Sequence, residues 1–484
     1  MNRQIIALIV ISLGLLAIRL FFIMNTMVID DEAYYAMYSR HLAWGYIDHG
    51  PVIAIVIKLG IFLFGENGFG VRFGALALYT LLSIFLYLFG KKEFNKNTGV
   101  ILFTTYWINI LFHTNGIVST PDVPLAFFSI FAIIFYYKAY FEDANFFYLG
   151  GFILGLALLS KISALFIAAG FGLFPVICSQ FRVHLKDFRF YFSFLIAFAV
   201  FSPFIIWNIQ NDWAFVRYQG AHIAQKGSIS TFFELWAGSA ILLGPVLFYY
   251  TVSLPWKQLN LVIKNKVSSA KELYFAVVTA VPFVYFVSHS FFSRFELNWP
   301  APVFYGGLFL FSIHTGKAVE RFPKCLIFQW GLSLFLVLLI SVQTMLPFLP
   351  VKGKNDITNR YFIYDGLIKN LELFLLDNTE LKNYRISANN YQIPSMINLY
   401  LKPEKEAACL SVNYHQTLYS FLYPLESLKK DRLLFIGKGD SFPEFLSPHW
   451  SQIEFLTSLE TERNGNLIQK YSLWKLSKPF TEPN

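Results

Sequence analysis

Apolar positions along this chain gather in windows of helix length instead of alternating with polar ones. The windows lie near 5–27, 71–90, 98–114, 122–138, 147–160, 162–180, 190–208, 231–254, 272–289, 300–315 and 325–347. A helix needs about 20 apolar residues to cross a hydrocarbon core about 30 Å thick, so the pattern predicts eleven spans. The pair meeting at Ser160-Lys161 is the shortest. At the N-terminus Arg3 precedes an apolar run that continues to Val28 without a small-residue cleavage site, which reads as a retained first span and not a signal peptide. Beyond residue 350 the pattern changes. "KNYRISANNYQIPSMINLYL", "EAACLSV" and "DRLLFIGKGD" alternate short apolar runs with turn residues. "SQIEFLTSLETERNGNLIQKYSLWKL" sets strand-like runs on either side of Asn464-Gly465, a strong hairpin signal. The expected fold is a polytopic α-helical membrane protein over residues 1–350, with a small external α/β domain over 351–484. No internal repeat or low-complexity segment interrupts it.

The polar positions between windows set the expected orientation. With the N-terminus in the cytoplasm, the inside loops are 91–96, 138–146, 182–189, 255–271 and 314–324. Together with Arg3 they carry 15 Lys/Arg, against 6 in the outside loops 27–70, 115–121, 209–230 and 290–299 and at Lys161. Lys/Arg-rich loops stay inside, so this bias favours N-in and an external tail. Composition agrees: 56% of residues are hydrophobic, 14% charged and 19% aromatic, with a mean hydropathy of +0.50. Soluble domains carry about 25% charged residues. The basic excess does not point to nucleic acid, because it sits in residues 1–350 (23 Lys+Arg against 15 Asp+Glu) and nearly vanishes in 351–484 (16 against 15). Of the three cysteines, Cys178 and Cys325 are expected at cytoplasmic helix ends and Cys409 outside, which leaves no disulfide framework.

The longest outside loop, 27–70, opens "VIDDEAYYAMYSRHLAWGYIDHGPV". Residues 32–44 have helical character and are expected along the membrane surface, rings at headgroup level and acids toward water. Asp30, Asp31 and Glu32 would complement the dipole of a first helical turn. The polar groups return, however, at Asp48-His49-Gly50-Pro51. Acids at a bilayer boundary beside aromatics and a histidine can also take a proton from an acceptor hydroxyl or amine.

"DDEAYYAMYSRHLAWGYIDHGPV" resembles the first external loop of the bacterial polyprenyl-phosphate-sugar glycosyltransferases of the GT-C superfamily, the group of the protein O-mannosyltransferases and lipid A aminoarabinose transferases. Asp31-Glu32-Ala33-Tyr34-Tyr35 and Gly45-Tyr46-Ile47-Asp48-His49-Gly50-Pro51 match its Asp-Glu, tyrosine and Gly-Tyr-Phe-Asp-His-Pro-Pro-like pattern, with Ile47 and Gly50 as departures. "STPDVPLAFF" (119–128) is similar to its Thr-Pro-Asp helix start, "GLALLSK" (155–161) to its Ser-Lys element, and "SRFELNWPAP" (293–302) to its Asn-Trp-Pro-Ala-Pro segment. The resemblance covers roughly residues 5–310, and all four motifs fall at expected external ends of spans.

The resemblance implies a sugar donor carried on a polyprenyl monophosphate and a lipid or glycan acceptor at the external face, such as lipid A or another surface glycan. It implies Asp31 as the base. Glu32, Tyr35, Asp48, His49, Asp122, Lys161, Arg217, Arg294, Glu296 and Asn298 are expected to bind substrate. Lys161, Arg294 and Arg217 are placed to neutralise the leaving phosphate. Each has a plainer structural reading: Asp122 as a helix start after Thr120-Pro121, Lys161 snorkelling to the interface, Asn298-Trp299-Pro300 as interfacial belt. No metal-ligand spacing is convincing; His49 with Asp48 is where a divalent ion could bind. Competing classes are a protein O-glycosyltransferase, a flippase for lipid-linked sugars, and a non-catalytic scaffold. Transporters place ionisable groups and broken helices near the midplane. Here charges cluster at span ends, with Arg19 the main exception.

Overall fold

The computed structural model describes residues 3–479 apart from 225, 265, 267, 268, 318–322 and 352. Parts of the inside loops expected at 255–271 and 314–324 therefore lie outside the described residues. The chain forms two compact units: Met1–Arg19, His49–Val56 and Ala75–Leu339 in the first, Leu20–Asp48, Ile57–Gly74 and Ile340–Asn484 in the second. The unit that holds the C-terminal segment thus also takes in much of the first outside loop.

The first unit is helical throughout, and every expected apolar window contains helix. In lipid each backbone N–H and C=O must find a partner within the protein, which helix satisfies locally. Six described helices are long and apolar enough to cross a membrane: Ile6–Asn25, Gly68–Glu93, Asp122–Phe141, Phe188–Gln210, Ala270–Ser290 and Lys324–Met345. Counting two bent pairs as one span each gives eight. The protein is a multi-pass membrane protein.

Two windows break. The 98–114 window divides into Lys96–Ile108 and Ile110–Thr114 at Asn109. The 231–254 window becomes Ile229–Leu243 and Pro245–Ile263, bent by 114° at Gly244-Pro245. These breaks expose backbone groups that side chains then satisfy. Asn109 accepts from Leu111 N–H at 3.1 Å and donates to the Leu243 carbonyl at 2.7 Å. Gln329 donates to that same carbonyl at 2.6 Å and accepts from Leu247 N–H at 3.1 Å. Arg19 serves the other break. Its guanidinium is buried, donates to the Trp107 carbonyl and to His113 Nδ1 (3.0 Å), and lies 4.1 Å from the Trp107 ring centroid. A cation at a helix C-terminus meets the partial negative charge of its free carbonyls. The one charge inside the first span thus has a structural task.

The second unit is built on a mixed five-stranded sheet: β1 (Arg385–Ala388), β2 (Ala408–Cys409), β3 (Leu433–Lys438), β4 (Trp450–Arg463) and β5 (Asn466–Pro479), in the order β2-β1-β3-β5-β4. β1 runs parallel to β2 and β3, and β5 is antiparallel to β3 and β4. The expected hairpin is present: Asn464 and Gly465 both take positive φ, which matches the right-handed twist of the strands they join. Leu433, Phe435, Trp450 and Leu476 form the core of this sheet with Leu446 and Leu428. Helix Gln392–Tyr400 crosses from β1 to β2 and packs on helix Asp30–Arg40 of the first outside loop.

That packing corrects the expected surface-lying helix. Glu32 through Ser39 are buried within the unit. The Tyr34 ring lies 4.3 Å from that of Tyr391, and the Tyr34 hydroxyl accepts from Leu418 N–H at 2.8 Å. Arg40 donates to the Asn398 carbonyl (2.7 Å) and pairs with Glu66 (2.6 Å) and Glu406 (3.2 Å). His41 bonds Glu406 at 2.9 Å, and with Tyr423 and Arg40 it holds the Glu406 carboxyl down at about 2. The tyrosines bury against protein where headgroups were expected, because the C-terminal segment offers matching rings. The apolar stretch Val52–Phe64 in the same loop also forms a helix, with Leu59, Phe62 and Leu63 exposed.

Candidate active site

Three adjacent acids start helix Asp30–Arg40, and the fold gives each a different environment. Glu32 is fully buried and committed. It reaches back to accept from Ile29 N–H at 2.9 Å, as a third-position glutamate does in a capping box. Arg72, equally buried, donates to its two oxygens at 2.7–3.1 Å and fixes the preceding chain through Thr26 Oγ1 (2.8 Å) and the Met27 carbonyl (2.7 Å). Asp30 faces Arg360 and Tyr364, each at 3.4 Å.

Asp31 stays accessible, with 37% of its side chain exposed. Tyr391 donates to its Oδ1 at 3.1 Å, and Arg360 stands 3.6 Å from its Oδ2. Partial burial, and after it the Asp30 carboxylate, push the Asp31 carboxyl up to about 6. A base works best when its pKa lies near the operating pH. In the same unit Tyr38 donates to Asp48 Oδ1, and its ring stacks on Tyr46 at 3.7 Å. Tyr35 is buried, its ring 5.5 Å from that of Tyr38.

A second cluster lies in the first unit. Asp122, the first residue of helix Asp122–Phe141, is buried and divides its oxygens. Lys161 Nζ bonds Oδ1 at 2.8 Å, and Asn298 Nδ2 donates to Oδ2 at 2.6 Å. No side chain caps this helix, whose cap residue is Pro121. Lys161 ends helix Phe146–Ser160, and Asn298 sits in the turn before helix Ala301–Gly316. Three of the motifs picked out in the sequence therefore meet through one carboxylate. His49 is half-buried here, its imidazole pushed down to about 3, first by desolvation and then by the Lys161 charge. It stays neutral at physiological pH. Gly50 is where the loop passes the end of helix Phe146–Ser160: a Cβ would come within 1.8 Å of the Leu159 carbonyl oxygen.

Arg217, Arg294 and Glu296 are exposed, and Arg294 forms no ion pair with Glu296 among the described residues. Arg217 lies on helix Ala214–Ile223. No described group of three or more His, Cys, Asp or Glu side chains is arranged to hold a metal ion. Sequence reasoning missed Arg72, Arg360 and Tyr391. Arg72 was readable, since a lone arginine inside the apolar run "GFGVRFGALAL" needs a buried acid. The other two sit in loops with no periodic signal.

Comparison with known proteins starts from residues 48–207, which match the family model described as dolichyl-phosphate-mannose-protein mannosyltransferase. A lipid A galacturonosyltransferase of Rhizobium johnstonii is 25% identical over 228 residues, 45% of this chain and 47% of that protein. The chain thus spans about half the length of this relative. ArnT of Cupriavidus metallidurans bound to undecaprenyl phosphate superimposes with a TM-score of 0.66 at 12% identity, over 97% of this chain and 98% of that one. The chain has a GT-C fold. An Archaeoglobus fulgidus oligosaccharyltransferase aligns with a TM-score of 0.53 at 13% identity, over 92% of this chain and 70% of that one. The likeness of fold reaches well past residue 310 and takes in the C-terminal segment.

Proposed function

We propose that the chain is an inverting glycosyltransferase that moves a sugar from a polyprenyl phosphate to an acceptor at the external face of the bacterial inner membrane. Lipid A or another surface glycan is the acceptor this reading favours, given the galacturonosyltransferase among its relatives. The observation that carries it is Asp31: an accessible carboxylate, oriented by two partners and poised near neutral pH. Asp31 takes the proton of the acceptor hydroxyl or amine as that atom attacks the anomeric carbon. The bond from the anomeric carbon to the phosphate oxygen breaks, its electron pair stays on the phosphate, and displacement from the opposite side inverts the centre.

Lys161, held by Asp122, supplies positive charge for the leaving phosphate, as do Arg217 and Arg294. Neutral His49 serves as a hydrogen-bond partner for substrate. Asp48, Tyr35, Glu296 and Asn298 complete the binding residues, and Glu32 acts from behind by fixing the helix that carries Asp31. The N-terminus is cytoplasmic and residues 351–484 are external.

Removing a general base lowers turnover by a factor of about 10²–10⁴. Purified, folded Asp31→Asn protein should show that loss in transfer from a polyprenyl-phosphate sugar, and near-normal turnover would overturn the assignment. The family description gives a second acceptor class, protein hydroxyls. Mass spectra of lipid A, surface glycans and secreted proteins with and without the gene decide between them.

A further inference from the structure

Asp31 lies near the start of helix Asp30–Arg40. In the structure two of its direct contacts come from residues more than three hundred positions away. Tyr391 precedes helix Gln392–Tyr400, the crossover between β1 and β2, and donates to Asp31 Oδ1 at 3.1 Å. Its ring is seated against Tyr34 at 4.3 Å, so the hydroxyl is delivered by a packed aromatic. Arg360 lies in the 3-10 turn Ile357–Tyr361, where the Asp356 side chain accepts from Thr358 N–H at 2.9 Å. Its guanidinium spans both acids, 3.4 Å from Asp30 Oδ1 and 3.6 Å from Asp31 Oδ2.

Resting on the reading of Asp31 as the base, we propose that Tyr391 and Arg360 of the C-terminal segment are positioning residues that aim the Asp31 carboxylate at the acceptor and keep it ready to accept a proton. One oxygen is fixed by a directional hydrogen bond. The other stands 3.6 Å from a cation that is itself 56% exposed, on a side chain 37% exposed, which leaves the acceptor room to approach the carboxylate. The C-terminal segment thereby becomes part of the catalytic apparatus through these two contacts. The titratable and charged groups facing Asp31 are Asp30 and Glu32 on its own helix and Arg360, Tyr364, Tyr391 and Tyr414 from the C-terminal segment. Burial, Asp30 and Glu32 favour the protonated acid, whereas Arg360 and the Tyr391 bond favour the carboxylate. Losing either of the latter must raise the pH at which the base becomes competent.

The test is the pH dependence of kcat/KM for sugar transfer by the full-length protein, for wild type, Tyr391→Phe, Arg360→Ala and Arg360→Lys, with Asp31→Asn as reference. Tyr391→Phe keeps the packed ring and removes only the donor. Tyr391→Phe and Arg360→Ala should each move the acid limb up by about one pH unit, and Arg360→Lys should restore most of the shift. An unmoved limb, a downward shift, or a loss uniform across pH would overturn the inference, the last because a merely structural role predicts it. If Tyr391→Phe does not fold, the exposed Arg360 pair decides alone. Inactive Asp31→Asn with unmoved limbs defeats only this inference, whereas active Asp31→Asn defeats the base assignment and this inference with it.

Discussion

At Glu32 both carboxylate oxygens are taken up by Arg72 and a backbone N–H, with no exposure on either side chain, while one residue earlier Asp31 keeps more than a third of its side chain in solvent. Helix geometry explains the division, since successive residues point about 100° apart and only one of the two can face the Arg72 side. A buried pair broken on one side leaves the other charge uncompensated, at a cost of about 3–5 kcal/mol. Glu32→Gln should therefore lower the unfolding free energy by about that amount. Asp30→Asn, whose contacts to Arg360 and Tyr364 are both long, should cost less than about 1 kcal/mol. Thermal unfolding of the detergent-purified variants reads the difference. Equal melting temperatures would mean that Arg72 finds another partner and that Glu32 is free for substrate.

Between elements, the close passage at Gly50 makes a second demand. The loop leading into helix Val52–Phe64 crosses the C-terminal end of helix Phe146–Ser160, which carries Lys161. A Cβ at 1.8 Å from a backbone oxygen cannot be relieved by rotating a side chain. Overpacking of this kind costs about 1–3 kcal/mol, so Gly50→Ala should lower the melting temperature, and an unchanged melting temperature would show that the loop yields. In the sequence Gly50 stands out only as a departure from the Pro-Pro-like pattern; its steric role depends on a helix a hundred residues away. The same contrast holds across the fold. Apolar windows were legible because lipid forces each segment to satisfy its own backbone, a local property. The hairpin at Asn464-Gly465 was legible because its turn chemistry is local too. The break at Asn109 was not, since part of what satisfies it is distant in sequence: the Leu243 carbonyl accepts from the Asn109 side chain, and Arg19 donates to the Trp107 carbonyl. Nor was the burial of helix Asp30–Arg40, whose tyrosines suit a membrane interface and a protein core equally well until Tyr391 and Tyr419 are known to lie against them. Of the site, the Asp122–Lys161–Asn298 cluster could be anticipated motif by motif, but the partners of Asp31 could not.

For the whole molecule, the side of the membrane on which the C-terminal segment lies was first argued by counting spans, and the count is the weaker support, because breaks and short helices make it sensitive to definition. Membership of the compact units supports the conclusion without a count. Leu20–Asp48 and Ile340–Asn484 belong to one unit, joined through Arg40, Tyr34 and Asp31. Water-exposed segments packed into one unit must share a side, so the C-terminal segment follows the first loop however many spans intervene. With the N-terminus placed in the cytoplasm the inside loops carry 15 Lys/Arg and the outside loops 6, the bias on which the proposed outward placement of that loop rests. Single cysteines at the exposed positions Trp44 and Ser451, introduced after the native cysteines are replaced, should both react in intact spheroplasts with a membrane-impermeant maleimide. Lys92→Cys, at an exposed position in the last turn of helix Gly68–Glu93 and in the loop expected inside, should react only after lysis. Labelling of Trp44→Cys and Ser451→Cys from opposite sides would refute the shared unit. Labelling of both only after lysis would keep the unit and reverse the orientation, moving the proposed transfer to the cytoplasmic face.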